Sequence, residues 1–238
     1  MKYIASVSFG KDSLAMLLII LEKKMPLDEV VFYDTGMEFD AIYGIRDKIK
    51  SILKAKCVKY TEVKHLRSFE YDMLEKPICK RGTKIVHKYG YGWCGTCRWG
   101  TAQKVERLKT VTRNSIQYVG IACDEEKRLD NYKDSNKLFP LVDLGMTEFD
   151  CLNYCRKHGY DWTEDGVGLY GILDRVSCWC CRNKNLKELK NMYLYLPRYW
   201  EKLKQLQSKL EQPMKGKGKS VFDLEERFKR EMAKGELK

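Results

Sequence analysis

Ser8-Phe9-Gly10-Lys11-Asp12-Ser13 decides the reading of this 238-residue chain. The run before it, residues 2–7, alternates weakly and reads as a buried strand. The run after it, residues 14–23, is apolar, unbroken and closed by charged residues, and reads as a helix packed on a sheet. A strand, a glycine loop and a helix start together form an anion-binding arrangement. The first turn of a helix presents unpaired N–H groups at the positive end of its dipole. Gly10 allows the backbone to approach an oxyanion closely. Ser8 and Ser13 supply hydroxyls and Lys11 supplies charge. The string is not a Walker A loop, which requires Gly-x-x-x-x-Gly-Lys-Ser/Thr.

Beyond the loop, strand and helix patterns alternate. Residues 29–33 read as a strand ending at Asp34-Thr35-Gly36, 39–53 as an amphipathic helix, and 57–63 as a strand containing Cys57. Residues 76–92 read as an irregular insertion, 101–108 as a helix and 115–122 as a strand. A capping box from Thr147 to Asp150 opens another helix. Residues 186–210 read as helix broken at Pro197, and Ser220 opens a last amphipathic one. The expectation is an α/β fold, a doubly wound and mostly parallel sheet with helices on both faces. To it are added a cysteine-bearing insertion and a helical C-terminal extension. The expected division is 1–185 for the nucleotide-binding domain, cysteine site included, and 186–238 for the extension.

Composition bounds the function classes. The formal charge of +12 suits a polyanionic substrate or partner or, equally, a lysine-rich soluble surface. No apolar run approaches bilayer length and no leader is evident, so no membrane partner and a cytoplasmic location are expected. Ten cysteines in such a compartment point to metal or redox chemistry rather than disulfides. Cys94-Gly95-Thr96-Cys97 is one Cys-x-x-Cys, and Cys178 to Cys181 is another with Cys180 inside it. Two pairs can present four thiolates to one centre, either Zn2+ or an iron–sulfur cluster. Buried structural thiols or a redox pair are the plainer alternatives. Cys180 is an alternative ligand or a free thiol. Cys151 and Cys155, one helical turn apart, read as core-facing, and Tyr193, Tyr195, Tyr199 and Trp200 as packing residues.

The loop string resembles the Ser-x-Gly-Lys-Asp-Ser signature of PP-loop ATP pyrophosphatases, in the phosphoadenosine phosphosulfate (PAPS) reductase-like branch. Asp34-Thr35-Gly36 with Glu38 and Phe39 resembles that family's second-strand motif. Gly120-Ile121 with Asp124, Glu125 and Arg128 resembles a later nucleotide and substrate strand, and Pro140-Leu141-Val142-Asp143 a segment before its next helix. The resemblance implies an adenylylating enzyme: a substrate atom attacks the α-phosphate of ATP, pyrophosphate leaves, and a sulfur or nitrogen nucleophile then displaces AMP. It implies catalytic roles for Lys11, Asp12 and Ser13, with nucleotide contacts from residues 8–13, Asp34, Thr35, Gly36, Gly120 and Ile121. Glu38 and Arg128 would contact substrate. Mg2+ accompanies the nucleotide, and Gly-Cys-Trp-x-Cys-like strings in thiolating relatives lean the site of Cys94, Cys97, Cys178 and Cys181 toward a 4Fe–4S cluster. The expected partners are an adenine nucleotide, a nucleic acid substrate and a sulfur donor protein. Two other readings stand beside this one, a sulfonucleotide reductase and a nucleotide-binding module without catalysis. Reductases of the family carry a cysteine in a C-terminal Glu-Cys-Gly-containing tail, whereas the last cysteine here is Cys181.

Overall fold

The computed structural model describes residues 1–93, 97–129 and 136–235. In chain order the strands are β1 (Lys2–Val7), β2 (Glu29–Asp34), β3 (Lys59–Lys64), β4 (Pro77–Cys79), β5 (Val86–Tyr89), β6 (Ser115–Val119), β7 (Lys137–Leu138), β8 (Thr163–Glu164) and β9 (Val167–Gly168). The helices are α1 (Lys11–Glu22), α2 (Asp40–Ala55), α3 (Lys104–Val111), α4 (Glu126–Leu129), α5 (Pro140–Asp143), α6 (Glu148–Lys157), α7 (Leu169–Ile172), α8 (Leu186–Tyr195), α9 (Pro197–Ser208) and α10 (Val221–Ala233). Two π-helical segments, Tyr71–Glu75 and Arg98–Gln103, complete the described elements.

The chain forms two compact units. The first comprises Met1–Asp34, Glu38–His65 and Lys104–Trp162; the second comprises Thr35–Met37, Leu66–Gln103 and Thr163–Lys238. Residue 185, the boundary expected from sequence, falls inside the second unit.

The first unit holds a sheet of order β3-β2-β1-β6-β7 among the described residues, all neighbours parallel. This is the doubly wound α/β fold. Every residue of β2 is buried, as expected of a parallel strand covered on both faces. Helix α1 buries nine of its twelve residues and packs on α5 and α6, while α2 packs on β3 and α3 on β2. The chain leaves β1 toward β2 on one side, and β6 leads to β7 on the other. The β1/β6 pair is therefore the topological switch point, where the loops beyond the carboxyl ends of the strands diverge and leave a crevice for ligands.

The second unit is built from the hairpin β4–β5, the second π-helical segment and the helical extension. Residues 76–92 are not irregular, as the sequence suggested. They contain an antiparallel hairpin pairing Pro77 with Tyr89 and Ile78 with Lys88, with a register shift at Ile78/Cys79. That shift and the polar tip mask the period-two pattern. Gly90, at φ +66°, closes it: a Cβ there would stand 2.2 Å from the Met73 carbonyl oxygen. The helix expected at 101–108 starts as a π-helical segment and continues as α3, and Cys57 lies before β3 in a positive-φ turn rather than within the strand. The break at Pro197 separates α8 from α9, as expected. Tyr193, Trp200 and Phe228 cluster with ring centroids 5.5–5.9 Å apart, so these aromatics pack the extension; Tyr195 is half exposed.

Candidate functional site

The loop after β1 lies at the switch point. Gly10 is the N-cap residue of α1 and has extended backbone, with no side chain capping the first turn. Ser13 braces the loop from inside: its Oγ donates to the Gly10 carbonyl (3.1 Å) and accepts from the Ser8 N–H (3.1 Å), and the two serine hydroxyls lie 3.1 Å apart. Phe9 occupies the left-handed region at φ +57°, which costs a bulky side chain of order 1–3 kcal/mol. Burial offsets that cost. The ring is wholly buried, 5.0 Å from Phe32, and the Phe9 carbonyl accepts from the Trp162 indole at 2.8 Å.

Gly120 explains why the strand-end motif contains glycine. A Cβ there would lie 2.7 Å from Ser13 Cα and 2.9 Å from Ser13 N. The end of β6 thus presses on the first turn of α1, with no room for a side chain. Ile121, fully buried, anchors that end.

Lys11 is buried, and its Nζ contacts Asp12 Oδ1 at 2.8 Å and Glu148 Oε2 at 2.5 Å. Burial pulls the Lys11 pKa down, but these two carboxylates outweigh it and leave the pKa above the ordinary lysine value. Asp12 shifts up. Burial is the main cause, Lys11 opposes it, and Glu148 and Glu125 add to it. Glu148 opens α6, where its N–H is held by Asp124. Cys151 and Cys155 are fully buried on the same helix, with the Cys155 thiol donating to the Lys11 carbonyl. Burial raises the Cys155 pKa to about 12 and pushes Cys151 up as well. Both are core thiols, as the sequence indicated, and they pack beneath the loop.

Asp34 ends β2 as a buried carboxylate, accepting from the Tyr43 hydroxyl at 2.8 Å and facing Lys64 at 3.2 Å. Burial, then the hydrogen bond to Asp34, pushes the Tyr43 pKa well up, so this hydroxyl stays a donor. Arg128 is half exposed and its Nη1 lies 2.6 Å from both carboxylate oxygens of Glu125. Glu38 is half-buried. Sequence reasoning missed Glu148 and Trp162. The Thr147–Asp150 capping box, present as expected, placed Glu148 at the first helical position without revealing its partner.

The other cysteines belong to the second unit. A cavity of about 210 Å³ there is lined by Cys97, Cys178, Cys180 and Cys181, by aromatic side chains including Trp93 and Trp99, and by Asp72 and Arg182. Thr35 accepts from the Trp99 indole (2.9 Å) through its carbonyl and from the Cys178 thiol (3.4 Å) through its hydroxyl. Gly36 takes a positive φ of 71° in the turn that follows. The Gly100 N–H donates to Cys97 Sγ at 3.1 Å, and a Cβ on Gly100 would lie 3.6 Å from that sulfur and 3.9 Å from Cys178 Sγ. The missing methyl leaves the space beside both sulfurs open. Three of the four expected ligands therefore line one cavity, and a thiol set with a peptide N–H donor fits zinc or an iron–sulfur cluster in kind. Among the described residues no three ligand atoms already converge as a metal-binding group, and Cys94 lies outside those residues. Lys215 of the extension ties the loop after Cys181 in place, donating to the Arg182 and Lys184 carbonyls at 2.8 Å each.

Among the described residues no helix is long and apolar enough to cross a membrane. No curated protein matches the chain. Residues 2–89 match the family model of the phosphoadenosine phosphosulfate reductase domain, a segment that includes β1, the glycine loop, α1, β2 and the Asp34-Thr35-Gly36 motif. Over that matched segment, with the switch-point loop at its start, the chain is similar to the PAPS reductase domain family.

Proposed function

We propose that the chain is an ATP-using enzyme that adenylylates a substrate and releases pyrophosphate, in the service of sulfur transfer to, or other modification of, a nucleic acid or nucleotide. The observation that carries this reading is the α1 N-terminus at the switch point: uncapped, braced by Ser8 and Ser13, and closed over by Gly120. The first-turn N–H groups, which no side chain caps, and the helix dipole favour a bound anion. The substrate nucleophile attacks the α-phosphorus, the α–β anhydride bond breaks, and the electron pair leaves with pyrophosphate. Donors fixed in advance around the loop stabilise that charge without reorganising. Mg2+ enters as the counter-ion of the triphosphate, which fits a loop carrying few carboxylates for metal capture.

Lys11 is held in reserve by Asp12 and Glu148. An arriving phosphate competes with two carboxylates for the ammonium. Lys11→Ala is expected to weaken ATP binding by about 10- to 100-fold, the worth of one charged hydrogen bond. Glu148→Gln removes one competitor and should tighten pyrophosphate binding by up to about fivefold. Calorimetric titration with ATP and with pyrophosphate checks both. Unchanged affinity in Lys11→Ala would remove the loop from the site, and ATP-dependent pyrophosphate release in the presence of candidate acceptors tests the reaction itself.

Cys97, Cys178 and Cys181, with Cys94, are the residues proposed to hold Zn2+ or a 4Fe–4S cluster. When bound, zinc would lock the second unit, and a cluster would add a site for sulfur or electrons. Cys180, on the same cavity wall, is the alternative ligand.

A further inference from the structure

We infer that the β4–β5 hairpin is a docking arm for a single-stranded polynucleotide. Residues 76–105 carry seven Lys or Arg and no Asp or Glu. At the chain's own density, 33 acidic residues in 238, a stretch of that length would hold about four. The bias is not a solvated face of ordinary composition. Many lysines elsewhere are paired: Lys59 with Glu29, Lys64 with Asp34, Lys190 with Glu231, Lys229 with Glu225 and Glu226. At the hairpin tip Lys80, Arg81 and Lys84 are exposed and make no ion pair among the described residues.

The hairpin also shows apolar surface that folding has left uncovered, Ile85 and Val86 next to the tip and Tyr89 at the base opposite Pro77. Ile85 is 60% exposed, Val86 40% and Tyr89 68%. Cations at the tip, with exposed apolar and aromatic side chains along the same hairpin, match an extended partner offering both phosphates and unstacked base faces. A duplex offers phosphates, but its bases are stacked away. An acidic peptide would satisfy the cations and leave Tyr89 idle. The tip is ordered enough to present these groups as a set, because Lys80 N–H bonds to the Ile85 carbonyl and Thr83 N–H to the Lys80 carbonyl, with Gly82 at positive φ.

The arm grows from the cavity wall. Asp72 and Met73 line the cavity just before the hairpin, and Tyr91, Gly92 and Trp93 line it just after. Gly90 fits against the Met73 and Leu74 backbone, and Lys76 stacks 4.8 Å over the Tyr91 ring. A strand gripped at the tip would run toward the cysteine-lined cavity at the base. The inference rests on the function proposed above only for what is then done to that strand.

The test uses the full-length protein and fluorescence anisotropy with labelled 20-mer single-stranded RNA and DNA and a duplex of the same sequence. Wild type is expected to prefer the single strands. Lys80→Gln/Arg81→Gln/Lys84→Gln should weaken binding at least tenfold and lower the log–log salt slope by roughly 2, from three lost phosphate contacts. Tyr89→Ala should weaken single-strand binding and spare residual duplex binding. All substitutions are at exposed positions, and circular dichroism confirms that the variants fold. Wild-type affinity in the triple variant, or equal wild-type binding to duplex and single strand, overturns the inference. ATP affinity is titrated on the same preparations. Strand binding through the hairpin without ATP binding would overturn the proposed reaction and leave the docking arm standing; ATP binding without strand binding would do the reverse.

Discussion

Gly120→Ala is expected to lower the melting temperature by about 6–12 °C, corresponding to roughly 3 kcal/mol in a chain of this size, and to weaken ATP binding at least tenfold. The added Cβ would collide with Ser13 Cα at 2.7 Å and Ser13 N at 2.9 Å. These are backbone atoms of a helix whose next residues are wholly buried, so the helix cannot withdraw without disturbing the core. Relief must come from moving the first turn of α1, where the anion is proposed to bind. Scanning calorimetry and ATP titration of the same protein check the two effects together. A variant with wild-type melting and affinity would mean that the β6 end does not close on the loop. Gly100→Ala is the matched control, because its Cβ meets other atoms only at ordinary contact distances and should leave ATP affinity unchanged.

This close approach shows what could be read from sequence and what could not. The strand–loop–helix run at 2–23 displays its period and its punctuation locally, so β1, the loop and α1 were legible, and the alternation of strands and helices led to the parallel sheet. Gly120 was legible as a motif residue, but its reason was not: the constraint is a contact with Ser13, 107 positions earlier in sequence order. The Lys11–Glu148 pair escaped for the same cause, since a capping box reports where a helix starts and not what its first residue faces. Phe9 at positive φ escaped because nothing local signals that Trp162 and Phe32 will hold it there. The β4–β5 hairpin was misread because the register shift at Ile78/Cys79 and the polar tip interrupt the period-two pattern that betrays a strand.

Cys178→Ser, Cys97→Ser and Cys181→Ser are each expected to reduce bound metal to near zero in anaerobically purified protein, measured by elemental analysis and visible absorption, while Cys180→Ser and Cys57→Ser leave it intact. A shared thiolate centre binds by the sum of its ligands. Apparent binding free energies of structural zinc sites are on the order of 10–16 kcal/mol, so one missing thiolate out of four removes a share that serine cannot replace. Stripping the metal with a chelator should lower the melting temperature of the wild type and change that of Cys178→Ser little. The spectrum separates the two metals: zinc is colourless, and a cluster absorbs in the visible. Metal-free wild-type protein would refute the shared site, and full metal content in Cys97→Ser would remove the first Cys-x-x-Cys from it. Cys180 is the informative control. It lines the same cavity and is buried, with its carbonyl accepting from the Trp93 indole at 3.3 Å. Metal loss in Cys180→Ser with retention in Cys181→Ser would therefore exchange their roles, leaving Cys181, half-buried on the cavity wall, as the free thiol.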